Sequence, residues 1–560
     1  MSAQIDELPR HGDPLAKTHE VLNQPPALED YNLYTQDRAL QDWVRAQGAG
    51  WAEDSLTAFG ALAGRAETIE LGFQANENPP VLDTHDRYGH RVDRVRFHPA
   101  YHELMRIALE HGLHSSPWTE PGPGAHVSRA AHFYMQMQVE PGHGCPVSMT
   151  FAAVPALRHQ PEIAARWLPK VTARAYDPRN VPDGEKSALT IGMAMTEKQG
   201  GSDVRANTTR AYPLGAAGPG QAYELIGHKY FVSAPMCDAF LVLAKTDKGL
   251  SCFLLPRWRP DGEKNPLQIQ RLKRKMGNAA NASSETELRG ALAWMIGEEG
   301  RGVRTIIDMV AATRFDCMMG SAAGMRQAVA QVTHHARYRS VFGERLDRQP
   351  LMQNVLADLA LESEAALAFT LRMGHALDHL DDDHERLLAR IATPVGKYWV
   401  CKRTAPHAAE AMECIGGSGV MEDCIMPRLF RESPVNAIWE GSGNVQCLDV
   451  LRAVEKEPAV MDAFLAELHR ARGADDRFDR FTDALKDDLA DTGDLVYRAR
   501  DLVDRMALAM QGSLLLRGGN AAVAGAFCAG RLAPSASRQF GSLPRGVDVS
   551  AIVERATPVS

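Results

Sequence analysis

The period of the hydrophobic pattern changes twice along this chain, and that change limits the available folds more than any other feature. Up to about residue 185, stretches such as HPAYHELMRIALEHGLH keep helical spacing, broken by PGPG at 121–124 and PGHGCP at 141–146. From 186 to 296 the texture is short apolar or β-branched runs (ALTIGMAM, AYELIGHKYFVSA, AFLVLAKT, LSCFLLP, LQIQRL) separated by Gly, Asp, Asn and Pro. Beyond 297 the 3.6-residue period returns, with Met325, Val329, Val332 and Ala336 on one helical face and Leu351, Val355 and Leu359 on another. Strands gathered in one block, not alternating with crossover helices, predict an α+β fold and disfavour a doubly wound nucleotide fold. The glycines at 416, 417 and 419 agree, because they lack the full GxGxxG spacing and follow a helical-looking run instead of a strand. The expected divisions are an N-terminal arm (1–30), an N-terminal helical domain (31–185), a central antiparallel β-barrel-like domain (186–296), a helical bundle (297–453) and an extra C-terminal helical domain (454–560).

Charge and cysteines narrow the function. With 62 Lys and Arg against 70 Asp and Glu, the net charge of -8 excludes a protein that coats nucleic acid with its whole surface, so any such binding needs a local patch. The opening MSAQIDELPRHGDP lacks the basic-then-apolar pattern of an export signal, and no apolar run approaches the ~18 residues that span a bilayer; a cytoplasmic chain without membrane attachment is expected. Nine cysteines without a CxxC pair point to reduced thiols, not to a disulfide framework or zinc ribbon. His111 with His114, and His334 with His335, have no carboxylate or cysteine grouping beside them, so no metal is expected. The basic run Arg271–Lys275 reads as a solvated loop.

Four segments carry candidate chemistry. Met195-Thr196-Glu197-Lys198-Gln199-Gly200-Gly201-Ser202-Asp203 follows an apolar strand and sets hydroxyls and adjacent glycines where backbone amides can approach a phosphate or ring edge; the bland alternative is a turn closing a hairpin. Lys229 to Ser233 is a strand with aromatics and a terminal hydroxyl, or plain β-core. Arg339-Ser340-Val341-Phe342-Gly343, with Gln349 shortly after, places an arginine at a helix end, where it grips a pyrophosphate or satisfies terminal carbonyls. Last come Ile415–Gly419 and Ile438-Trp439-Glu440-Gly441-Ser442-Gly443-Asn444, a carboxylate between a large aromatic and a flexible Gly-Ser-Gly.

Taken in this order and at these separations, MTEKQGGSD, RSVFG, GGSG and WEGSG resemble the motifs of the acyl-CoA dehydrogenase flavoprotein family along most of residues 150–452. The resemblance implies FAD enclosed by a helical domain, a barrel and a bundle, in a homotetramer whose neighbouring subunits complete each flavin site. It implies that Met193, Met195, Thr196 and Ser202 lie against the isoalloxazine and phosphates, and that Phe231, Val232 and Ser233 cover the ring's other side. Arg339, Phe342, Gln349, Gly416 and Gly417 are then expected at the adenosine pyrophosphate, with Trp439, Ser442 and Asn444 completing the flavin contacts. Glu413 stands where the family commonly has Gln, which alters the adenosine contact. Glu440 matches the family's catalytic base: removing a proton alpha to a thioester carbonyl needs a positioned carboxylate, and desolvation strengthens it. The residue before Arg314, a base position in some members, is Thr313, which cannot serve as a base.

Segments such as VRFHPAYHELM, GMAMTEKQGGSDV, ATRFDC and PVNAIWEGSGNVQCLDVLR resemble one branch of that family, flavoproteins associated with the adaptive response to DNA alkylation. That likeness implies double-stranded DNA binding through the C-terminal domain and at most weak dehydrogenation of a branched acyl-CoA such as isovaleryl-CoA, or action on an alkylating small molecule. Residues 505–560 hold six arginines against Asp548 and Glu554, net +4, so the end of the chain is locally basic. Arg452, Arg517, Arg531, Arg538 and Arg545 are the expected DNA contacts; the alternative pairs such arginines with the Asp-rich stretch before them. The residues around the flavin suit a metabolic acyl-CoA dehydrogenase equally well.

Overall fold

The computed structural model describes residues 19–534, 536–537 and 539–558. Helices from Arg38 to Val171 come first, interrupted by a hairpin of β1 (Val81–His85) and β2 (Arg91–Arg96). Seven strands follow: β3 (Ile191–Ala194), β4 (Arg210–Pro213), β5 (Ala222–Ser233), β6 (Ala239–Thr246), β7 (Gly249–Pro256), β8 (Leu267–Leu272) and β9 (Ser283–Ile296). β5 pairs with β9, β9 with β7 and β7 with β6, while β3 and β4 bridge β6 back to β5, so the sheet closes on itself. Pairing is antiparallel except where β3 and β4 run parallel to β6, a departure from the antiparallel barrel expected. Every apolar run singled out in this region lies on a strand, because alternate side chains fill the barrel: Leu241, Leu243, Phe253 and Met295 are fully buried.

Three long helices form the bundle, Gly302–Tyr338, Pro350–Asp378 and Asp383–Ile415. Met325, Val329, Val332 and Ala336 share its buried face as the spacing requires. Leu359 is buried and Val355 partly so, but Leu351, in the first turn, is 86% exposed, because the helix starts beyond the core there.

The C-terminal helices, from Ala459 to Ala556, share one continuous core with the bundle and the N-terminal helices. Phe478, Leu485, Val503, Leu514 and Ile552 supply that apolar face, which the Asp-rich surface pattern hides in the sequence. Arg555 pins the last helix to Glu364 (3.0 Å) and Asp42 (2.7 Å). All nine cysteines are free thiols, and among the described residues no helix is long and apolar enough to cross a membrane. The basic run at 271–275 is not a solvated loop: Arg271 and Lys273 pair with Glu285 (2.6 Å each), and Lys275 donates to the Asn281 carbonyl (2.6 Å).

Candidate functional site

The Trp439-Glu440-Gly441 turn is held by an unusual number of donors. Helix Ile425–Glu432 and the short helix Val435–Ile438 lead into it, and helix Gly443–Lys456 begins immediately after Ser442. Gly441 at φ +100° makes the reversal possible, and a Cβ there would lie 2.5 Å from Gln446 Nε2. Glu440 itself takes φ +57°, a left-handed conformation that is uncommon for a residue with a side chain. Lys397 Nζ donates to the carbonyls of Trp439 (2.7 Å) and Gly441 (2.5 Å). Arg314 Nε (3.1 Å) and Gln446 Nε2 (3.0 Å) donate to the Glu440 carbonyl. Asp449 anchors Arg314 at 2.6 Å, so the clamp is fixed in turn.

The side chain of Glu440 points into a half-buried seam, where Thr313 Oγ1 donates to its Oε2 at 3.0 Å. Burial pushes the carboxyl above its ordinary value, and the Thr313 hydroxyl, Lys397 and Arg314 oppose that rise. Thr313, set aside in the sequence because a hydroxyl is no base, is therefore the residue that orients the Glu440 carboxylate. Lys397 and Gln446 were missed as well; a lone lysine inside the apolar run PVGKYWV was the available signal.

On the barrel side, β3 and β5 meet at Met193 and Ser233, and the Tyr230 amide donates to the Thr196 carbonyl (2.8 Å). The motif loop is locked by a buried ion pair, Lys229 Nζ to Glu197 Oε1 at 2.8 Å; burial would raise Glu197, but Lys229 and the Thr208 and Thr209 donors bring it down to about 2. Lys229 is thus a fastener of the loop. The Thr196 and Ser202 hydroxyls bond no described residue. Burial lifts the Cys145 thiol to about 12; the charge of Glu440 adds to the rise, and Lys275 and Ser233 oppose it.

The remaining expected residues have these surroundings within one chain. Arg339 Nη1 donates to the Asn23 carbonyl (2.7 Å), and Gln349 closes its own loop through the Val341 carbonyl (2.8 Å). Phe342 is 99% exposed at φ +56°. Gly416, at φ +77°, ends its helix, and a Cβ on it or on Gly417 would meet open space. Trp439 Nε1 donates to Asn436 (2.8 Å), Ser442 makes no side-chain cap, and Asn444 Oδ1 accepts from Arg500 (2.8 Å).

Of the expected DNA contacts, Arg452 is exposed, 3.8 Å from Asp449, and Arg545 is exposed; Arg538 lies outside the described residues. Arg517 and Arg531 do not form a basic face. Arg517 bonds Glu467 at 2.6 Å, and Arg531 is buried between Asp358 and Glu362. Their partners come from neighbouring helices, not from the Asp-rich stretch, whose Asp488 takes Arg505 and whose Asp491 takes Arg498.

Known proteins share this arrangement. Residues 23–178 match the model of the adaptive response protein AidB N-terminal domain, residues 192–291 the acyl-CoA dehydrogenase middle domain, and residues 300–455 the acyl-CoA dehydrogenase C-terminal domain. The "Putative acyl-CoA dehydrogenase AidB" of Escherichia coli (strain K12) is 45% identical over 514 residues, 91% of this chain and 94% of that protein. The crystal structure of Caenorhabditis elegans ACDH-11 in complex with C11-CoA superposes with a TM-score of 0.82 at 26% identity, covering 96% of this chain and 93% of that one. A Bacillus anthracis acyl-CoA dehydrogenase complexed with FAD, 19% identical, shares the fold at a TM-score of 0.62 over 77% of this chain and 80% of that one. With a glutamate turn, a barrel loop and a bundle all matched across nine-tenths of a relative's length, the chain belongs to the acyl-CoA dehydrogenase family, in its AidB-like branch.

Proposed function

We propose that this chain oxidises an acyl-CoA thioester between its α and β carbons, with Glu440 taking the α-proton. The carrying observation is the Glu440 carboxylate oriented by Thr313 in a half-buried seam, on a turn whose three carbonyls are all held by donors. A base fixed in this way spends little on reorganisation when the proton moves, and burial makes it stronger than an exposed glutamate. The complex of ACDH-11 with C11-CoA supports the substrate class.

The residues present fit the family's FAD. Unengaged hydroxyls at Thr196 and Ser202 offer donors, and the Gly416–Gly417 turn is open for the close approach of a ligand. Met193, Met195 and Phe231 to Ser233 would line the ring, and Arg339, Phe342, Gln349 and the glycine turn the adenosine of a neighbouring subunit's group. When bound, FAD supplies the acceptor for the hydride that leaves the β-carbon. Phe342 and Leu351, both bare in one chain, are surfaces that other copies cover in a homotetramer. Anaerobic bleaching of the bound flavin by isovaleryl-CoA tests the proposal, and a flavin untouched by a panel of acyl-CoAs would remove it.

A second reading, duplex DNA association in an adaptive response to alkylation, draws on the match of residues 23–178 to the AidB N-terminal domain and on the exposed Arg452 and Arg545. Arg452→Glu with Arg545→Glu is expected to weaken duplex binding about 10- to 100-fold at low salt, and rising salt to weaken the parent likewise through counterion release. A gel shift in which neither change matters would discard these two residues as phosphate contacts.

A further inference from the structure

A cavity of 380 Å³ lies between the bundle and the C-terminal helices, and none of its lining residues belongs to the Glu440 turn or the barrel. Helix Asp383–Ile415 gives Trp399 and Arg403, helix Asp476–Ala490 gives Arg477 and Arg480, helix Leu495–Gly518 gives Arg505, and the turn Cys528–Leu532 gives Arg531. Among the described residues, five guanidinium groups thus face one space whose single acidic lining residue is Asp501. Four of them are fixed from behind: Arg477 by Asp475 (2.5 Å), Arg505 by Asp488, Arg403 by Glu362 (3.2 Å), and Arg531 by Asp358 and Glu362. Arg480 is exposed and pairs with no carboxylate among the described residues.

Two donors in the same wall have no acceptor among the described residues. Trp399 is 4% exposed and its Nε1 is unbonded, and Arg531 Nε is likewise buried and unbonded. Buried donors are rarely left so, since each has given up water without replacement. A group that brings acceptor oxygens into the cavity answers both. Phe481, Leu508 and Pro534 line the same space and offer an apolar surface beside the charges. The volume lies within the roughly 300–1,000 Å³ typical of small-molecule sites.

We propose that this cavity binds a small organic anion, with a single phosphate or carboxylate head toward Arg480, Arg531 and the Trp399 indole and a flat apolar body against Phe481, Leu508 and Pro534. The Arg531 guanidinium, already oriented by Asp358 and Glu362, loses little entropy on gripping an oxyanion, and charge-assisted bonds are the strong ones. The site is separate from the acyl-CoA chemistry proposed above and stands without it.

Calorimetric titration of the FAD-loaded full chain with phenyl phosphate, benzoate and inorganic phosphate tests this. Phenyl phosphate or benzoate is expected to bind once per chain, about tenfold more tightly than inorganic phosphate, because the ring adds apolar contact. The tighter of the two identifies the head group. Arg480→Glu, an exposed change that breaks no ion pair, should weaken the binding at least about tenfold with Tm unaltered, and Trp399→Phe about threefold or more. Absence of binding by all three probes at several millimolar, or binding that Arg480→Glu leaves unchanged, would overturn the proposal. So would displacement of phenyl phosphate by a short DNA duplex, which would make the arginines a contact for backbone phosphate.

Discussion

Replacing Glu440 by Gln should lower the rate of flavin bleaching by isovaleryl-CoA by about 10²–10⁴-fold while FAD stays bound, the loss expected when a positioned general base is removed. At about 1.4 kcal/mol per decade this is roughly 3–5 kcal/mol of transition-state stabilisation. The amide keeps the shape of the side chain and its acceptor for Thr313 Oγ1, so the turn should persist. The pH profile sharpens the test. As the proposed base Glu440 would work ionised, and burial raises its folded value above its ordinary one, so the parent's rate should climb with pH through that raised value and then level. Thr313→Val removes a hydrogen bond that favours the charged form, so the climb should move to higher pH, a shift that a merely structural role for Thr313 would not produce. Stability runs the other way. Folding raises this pKa, so the ionised carboxylate costs stability once the pH exceeds the unfolded value, and Glu440→Gln should be at least as stable as the parent at pH 8. Loss of FAD from the Gln variant would instead make Glu440 part of the cofactor's support.

The barrel was legible because a strand buried on one or both faces writes its pattern into five or six consecutive residues, and β5 to β8 all stood out as runs. The parallel pairing of β3 and β4 with β6 was not, since register and direction depend on strands distant in sequence. Within the candidate site, Glu440 stood out because a carboxylate between Trp and Gly-Ser-Gly is conspicuous, whereas the donors that hold its turn were invisible. Lys397 and Gln446 are ordinary residues until the fold turns them toward three carbonyls. Charge was the most misleading signal. Net charge over a window counts Arg517 and Arg531 as surface, but an arginine counts toward a field only if its partner carboxylate is elsewhere, and Glu467, Asp358 and Glu362 lie far back in sequence.

That difference predicts a second large effect. Arg531→Met should leave Asp358 and Glu362, both buried on helix Pro350–Asp378, with one guanidinium fewer; breaking such a pair costs about 3–5 kcal/mol because the charge left behind is uncompensated. Burial pushes Glu362 up, and Arg403 and Arg531 together bring it down to about 2, so in the parent this carboxylate stabilises the fold above its unfolded value near 4.5 and loses that contribution as the pH falls toward 2. Asp358 is already raised by burial despite Arg531. Without the arginine both carboxyls are expected to titrate higher, so that each favours its neutral form in the fold. The variant's deficit in Tm should then be several degrees at pH 8 and shrink toward pH 5, where protonation relieves the unpaired charges. Arg452→Met, an exposed side chain on the far side of Asp449, should leave Tm unchanged at both pH values. Should Arg531→Met melt with the parent at pH 8 and lose only affinity for duplex DNA, the guanidinium would belong to the surface, and the ion pairs that tie the turn Cys528–Leu532 to the bundle would carry no weight in the fold.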